Sequence, residues 1–269
     1  MRRLRAAILM ASMFLLAAGA PAQDAYDIVI LNGRVMDPET GLNAVRNVGI
    51  RGQSVVAISD QPLRGETEVD ASGLIVAPGF IDLHAHGQSA RANEFQAMDG
   101  VTTALELEAG VPDLPMFLAM REGNAVINYG ASISHGALRT WSMPEHTAEI
   151  DRLVGTIRDA GEISDDTVDM FFQVIAAGRD KELDPEQYPA LWSRLGRGLN
   201  DGALGIGMPH QYYPGVSYDE IFRLFQFAAD RNAPIFTHVR SMGVTGMQEV
   251  VANAIATGAP LHIVHMNSM

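Results

Sequence analysis

Cysteine is absent from the 269 residues, and Lys181 is the only lysine. The first absence excludes disulfides, thiolate metal ligands and a cysteine nucleophile. The second leaves one lysine for any site role, and it stands in the charged stretch Asp180-Lys181-Glu182-Leu183-Asp184. Basic residues as a whole are scarce, 19 against 32 acidic ones, for a formal charge of −13. Such a surface repels nucleic acid and anionic membranes. A glycine-rich phosphate fingerprint is missing too, since no GxGxxG or P-loop follows a candidate strand. Internal repeats and low-complexity tracts are also lacking.

The apolar run from about Ala6 to Ala20 is shorter than the roughly 20 residues a membrane span needs. Arg2, Arg3 and Arg5 precede it, and Ala20-Pro21-Ala22 follows as a small-x-small site. That order predicts a secretory signal peptide over residues 1–22, with an uncleaved anchor as the alternative. The mature chain then begins near Gln23 with 16 basic residues against 32 acidic. It is expected to be exported across the inner membrane to the periplasm, with no span left after cleavage.

From Tyr26 to Ala77 the chain reads as short strands. Asp27–Leu31 and Arg34–Met36 flank Asn32-Gly33, a hairpin signal. Asn47–Ile50 and Ser54–Ile58 flank a turn at Arg51-Gly52-Gln53, and Glu68–Asp70 and Leu74–Val76 follow. About 50 residues of hairpins make a small core, so this segment is expected to pack on something else.

After Pro78, apolar strands alternate with helical stretches. Strands are predicted at Gly79–Leu83, Val101–Leu107, Val126–Ser134, Ala203–Gly207, Ala233–Val239 and Leu261–His265. Helices are predicted at His146–Ala160, at Pro185–Leu199 and after Ser217, where Glu220 completes a capping-box pattern. This alternation implies parallel strands, in a β/α barrel or an open doubly wound sheet. Lack of a nucleotide fingerprint favours the barrel.

In such a barrel, function gathers at the C-terminal ends of strands. Pro78-Gly79-Phe80-Ile81-Asp82-Leu83-His84-Ala85-His86 ends in His-x-His. Residues i and i+2 of a strand share a face, so both imidazoles point one way. Alone, the pair reads equally as half a metal site or as two surface histidines. His135, His238 and His265 also fall at predicted strand ends, and that recurrence favours a metal site. His210 lies just beyond the fourth strand, and His146 looks peripheral. Two neighbouring metals share an anionic bridge. With cysteine absent and Lys181 elsewhere, carboxylates remain. Glu106 and Glu108 share one face near the end of the second apolar strand, where a carboxylate is costly unless paired or metal-bound. Glu108, nearer the end, is the favoured bridge and Glu106 the second candidate.

The chain resembles the amidohydrolase superfamily in Gly33-Arg34-Val35, in Val76–His86 and in the fifth- and sixth-strand histidines. Gly100-Val101-Thr102-Thr103, His135–Arg139, Gly202–Gly207 and Thr237–Arg240 look most like its D-aminoacylase (N-acyl-D-amino-acid deacylase) branch. The resemblance implies a TIM-like β/α barrel over residues 77–269, strands one to six, and a small β-sandwich domain built partly from residues 23–76. It implies one or two zinc ions held by His84, His86, His238 and His265 around the bridge. It implies hydrolysis of a small N-acyl amino acid, N-acyl-D-glutamate among them. A cyclic-amide hydrolase (dihydropyrimidinase or imidazolonepropionase-like) and an inactive metal-binding remnant are the competing readings. The branch carries a lysine two residues after the sixth-strand histidine, where this chain has Asn267. Arg139 and Arg240 are the candidates to bind a substrate carboxylate instead. His135 is the candidate oxyanion donor, and Tyr212 and Tyr213 are expected to line the substrate pocket. The family's aspartate at the end of an eighth strand has no matching position here, so the chain is expected to be a fragment or a truncated product. A homo-oligomer is compatible with these features.

Overall fold

The computed structural model describes residues 26–161 and 165–268. The predicted signal peptide lies outside the described residues. The chain divides into two compact units, with the boundary between Pro78 and Gly79.

The first unit holds β1 (Tyr26–Asp37), β2 (Leu42–Arg51), β3 (Ser54–Ser59), β4 (Gly65–Asp70) and β5 (Ile75–Val76). The sheet runs β3-β2-β1-β4, with β5 also on β1. β2 pairs antiparallel with both β1 and β3, whereas β4 and β5 run parallel to β1. The Arg51–Gln53 turn joins β2 to β3 as expected. Asn32-Gly33 does not make a hairpin. Strand β1 continues through it, and the register against β2 shifts between Ile30 and Gly33. Asn32 takes the left-handed conformation (φ 62°) that the dipeptide favours, and its N–H donates to Asn47 Oδ1. Gly33 lies where a Cβ would meet Val76 Cγ2 at 2.4 Å. The turn chemistry is spent on a bulge, because ladder partners exist on both sides of it. Val29, Val35, Val48, Leu63 and Ala71 form a small core, while Val45, Val55, Val56 and Ile58 stay exposed.

The second unit alternates strands and helices. In order they are β6 (Phe80–Asp82), α1 (Ala90–Met98), β7 (Val101–Val111), α2 (Leu114–Ala119), β8 (Asn128–Ser134), α3 (His135–Trp141), α4 (Pro144–Ala160), α5 (Asp165–Ala177), α6 (Tyr188–Asn200), β9 (Ile206–Pro209), α7 (Tyr218–Ala229), β10 (Ile235–His238), α8 (Val244–Thr257) and β11 (Leu261–Ile263). The strands form one six-stranded sheet in sequential order, β6 to β11, and every pair is parallel. Ile133, Met208 and Ile235 from this sheet pack with Leu191, Leu195, Leu224 and Phe225 from the covering helices in one buried cluster.

All six predicted strands form, with three informative differences. β7 runs on to Val111. His135 is not the last residue of β8 but opens α3, with Ser134 as N-cap accepting from Ala137 N. Glu220 does not close a capping box. Ser217 caps α7 as expected, but the Glu220 carboxylate turns inward to His135 and Arg139.

Candidate metal centre

The centre starts from an irregularity in β7. Against β8, Glu106 pairs with Ala131, yet Val111 already pairs with Ile133. The intervening residues of β7 therefore bulge. Ser132 Oγ donates to Leu107 O at 2.6 Å and holds the bulge. Gly207 of β9 lies beneath it, where a Cβ would meet Glu108 O at 2.6 Å and Leu107 O at 2.8 Å. Gly110, at φ 67°, returns the strand to register. Leu107 points into the core while Glu106 and Glu108 point to the other side, both buried.

Four imidazoles converge there, all at or just past strand ends. His84 Nε2 lies 2.6 Å from Glu108 Oε2 and His86 Nε2 lies 3.2 Å from it. His238 Nδ1, at the end of β10, lies 3.0 Å from Glu108 Oε1. His265 Nε2 approaches Oε2 at 3.8 Å, too long for a hydrogen bond. His265 lies past β11 with φ 36°, in the left-handed region. Two ligand groups share Glu108: His84–His86–Glu108 and Glu108–His238–His265, each with its ligand atoms within 4.8 Å of one another.

Glu106 is not equivalent to Glu108. Its Oε2 meets His86 Nδ1 at 2.9 Å, and its Oε1 accepts from Ala109 N. It therefore orients His86, the part a carboxylate plays behind a metal-bound histidine. Gln211 Oε1 does the same for His238, lying against its Nε2. With Nδ1–H of His86 given to Glu106 and Nε2–H of His238 given to Gln211, each ring turns a lone pair on the Glu108 carboxylate. Lone pairs facing a carboxylate need a cation between them. In the metal-free protein a proton meets that need on His86, whose pKa rises to about 10 through hydrogen bonds to Glu106 and Glu108. Burial acts first on Glu108 and would raise its pKa, but His86, His84 and His238 outweigh it and the carboxyl stays below its usual range. Burial holds the imidazoles of His84 and His238 below theirs, against the pull of Glu108. Two imidazoles held neutral by burial, His84 and His238, and an ionised carboxylate suit a zinc-like divalent ion, which would displace the proton of His86, so the residues present fit the implied metal.

The remaining predicted site residues lie elsewhere. Arg139 is fully buried and bonds Glu220, Gly178 O, Lys181 O and Gly215 O, so every guanidinium nitrogen is engaged within the fold. Arg240 pairs bidentately with Glu249 at 3.1 Å and donates to Val216 O. Neither is placed to clamp a substrate. His135 Nε2 meets Glu220 at 3.0 Å in the core, away from the oxyanion role expected of it. Tyr212 stands edge-on to His238 at 5.1 Å between ring centroids and is largely exposed. Tyr213 is buried against Gly136. Both tyrosines line a chamber of about 480 Å³ that also reaches His86, Glu106 and Glu108. Gln211 and the orienting part of Glu106 were not foreseen. The signal for Gln211 was its place beside the tyrosines in the His210–Gly215 loop after β9.

The amidohydrolase family profile matches residues 67–157. An N-acyl-D-glutamate deacylase of Alcaligenes xylosoxydans xylosoxydans is 27% identical over 259 residues, 92% of this chain and 51% of that protein. A D-aminoacylase of the same organism is 28% identical over 169 residues, 51% of this chain and 35% of its own length. Over residues 67–157 the chain is similar to amidohydrolases. The chain spans about half the length, or less, of these curated relatives. Among solved structures, an N-acyl-D-glutamate deacylase from Bordetella bronchiseptica, complexed with zinc and a phosphonate inhibitor, superposes with a TM-score of 0.68 at 22% identity. That match covers 88% of this chain and 51% of the other chain and shows a shared fold.

Proposed function

We propose that this chain carries the metal-binding part of an N-acyl-D-amino-acid deacylase, a hydrolase of linear amides. The observation that carries the reading is the set of four imidazoles on one buried carboxylate, Glu108. The two D-acyl-specific relatives select the substrate class. We infer further that residues 77–269 form part of a β/α barrel and residues 23–76 part of a small β-sandwich domain. Residues 1–22 are inferred to direct export to the periplasm, which a mature mass beginning at Gln23 would establish.

A divalent ion such as zinc, when bound, makes a water nucleophilic near neutral pH and polarises a carbonyl. His84, His86 and Glu108 would hold such an ion as one group, and Glu108, His238 and His265 as a second. Glu106 and Gln211 fix the ring orientations of His86 and His238. The buried setting of Glu106 and Glu108 limits water at the carboxylates. The chamber brings an amide up to the centre and holds it there, which is the positioning part of catalysis.

The complete protein, metal-loaded and carrying the eighth-strand aspartate expected of it, tests the reading against N-acetyl-D-amino acids, their L enantiomers and hydantoins. Turnover confined to the D series is expected. His84→Ala and His238→Ala are each expected to lose bound zinc and turnover together. Hydantoin hydrolysis without D-acyl turnover would overturn the substrate class. Unchanged zinc in both variants would overturn the shared centre.

A further inference from the structure

The chamber beside Glu108 has a consistent chemistry away from the centre. Its far walls are Val111, Met116, Phe117, Ile157 and Ile175. These side chains are fixed by packing. Met116 and Ile157 belong to one buried cluster with Ile150 and Val154, and Ile175 belongs to the main core. Helices α4 and α5 supply Ile157 and Ile175 respectively, so the long excursion between α3 and α6 builds one side of the chamber.

Charged groups of the lining fall into two sets. His86, Glu106 and Glu108 belong to the centre. Asp113 and Arg179 stand apart from it, and both are partnered. Asp113 pairs with Arg158 at 3.0 Å and caps α2 at Met116 N. Arg179 is more than half exposed and pairs with Asp180 at 3.2 Å. Among the described lining residues no unpartnered cation faces the apolar walls. A second carboxylate on the substrate, as in an N-acyl-D-glutamate, would sit on apolar surface near Asp113. Burying an unpaired carboxylate there is strongly unfavourable. An alkyl, thioether or aryl group would instead gain about 25 cal/mol for each Å² it buries. The volume, about 480 Å³, lies within the usual range for small-molecule sites.

We propose that this chamber receives an apolar group of the substrate, so that the preferred substrate is an N-acyl amino acid with an apolar side chain rather than an acidic one. The proposal rests on the deacylase reading and refines its specificity.

The test compares N-acetyl-D-leucine with N-acetyl-D-glutamate on the complete, zinc-loaded protein, by turnover and separately by calorimetric binding. N-acetyl-D-leucine is expected to lead by about tenfold or more in kcat/KM, as for a pocket discriminating by apolar fit and desolvation. Ala176→Arg places a cation on the chamber lining at an exposed position of α5. It is expected to narrow or reverse that preference while leaving the melting temperature unchanged. Equal or better turnover of N-acetyl-D-glutamate by the unaltered protein would overturn the proposal and leave the deacylase reading standing. Binding of N-acetyl-D-leucine alone, with neither compound hydrolysed, would overturn the deacylase reading and leave the apolar chamber standing. Failure to bind N-acetyl-D-leucine, or tighter binding of N-acetyl-D-glutamate, would overturn the chamber proposal.

Discussion

Two carboxylates, two residues apart on β7, have different work. Glu108 faces four imidazoles, whereas Glu106 faces only His86 and its own strand's amide at Ala109. Glu108→Ala is therefore expected to abolish high-affinity zinc binding. Glu106→Ala is expected to retain binding but weaken it about 10- to 100-fold, the usual effect of removing an orienting carboxylate. Zinc titration against a competing chelator separates the two, and equal losses would contradict the assignment. His210 makes a second residue-scale prediction. It is buried with neither ring nitrogen hydrogen-bonded in the protein, and burial, then Arg240 and His135, push its pKa down to about 2. The unfolded chain takes up that proton near pH 6.5, and the folded one does not. Stability from this group is thus present above about pH 6.5 and lost as pH falls, by about 1.4 kcal/mol per unit. Urea midpoints measured between pH 7.5 and 5 should fall less steeply in His210→Leu than in the parent. At this scale the sequence was legible where absence narrowed the choice. Without cysteine and with one misplaced lysine, a carboxylate remained, and Glu108 is the one that two candidate ligand groups share. The sequence was illegible where a side chain's partner is distant in it. Arg139 looked available for substrate because Glu220, 81 residues away, is invisible until the core forms.

At the scale of elements, two bulges carry the lesson. Alternation of apolar residues and turn signals revealed every strand of the parallel sheet, since those patterns are local. The irregularities at Asn32-Gly33 and in β7, two of the four register shifts in the described strands, escaped because a bulge is decided by the partner strand. Asn32-Gly33 has the chemistry of a hairpin turn and was used inside β1. In β7 the excursion at Leu107–Gly110 depends on Ser132 in β8 and on Gly207 in β9. Gly207→Ala puts a methyl group against two backbone carbonyls that cannot rotate away. It is expected to destabilise the protein by about 1–3 kcal/mol, as overpacked cores do. It should also weaken zinc binding, because Glu108 stands on the displaced segment. Chemical denaturation and zinc titration on the same preparation test both parts. Retained affinity in a destabilised variant would uncouple the bulge from the centre.

For the molecule as a whole, the division at Pro78 follows the change from a mixed sheet to sequential parallel pairing. That change was visible in the sequence as a change of rhythm. Within the described residues, β6 and β11 each have a ladder partner on one side only. Phe80 and Ile81 of β6 are about two-thirds exposed. Apolar strand edges invite pairing with another chain. These 269 residues, purified alone, are expected to self-associate with rising concentration, and Phe80→Lys to reduce it, as read by light scattering. Concentration-independent scattering from the parent would count against edge pairing. The bulge in β7 has one more consequence at this scale. It stores surplus chain: a stretch of strand whose length the neighbouring ladders do not count. Substituting, adding or deleting a residue within that slack alters what is presented to the centre without shifting the pairing of β7 at either end. The sheet can thus stay constant while the side chain presented to the four imidazoles changes.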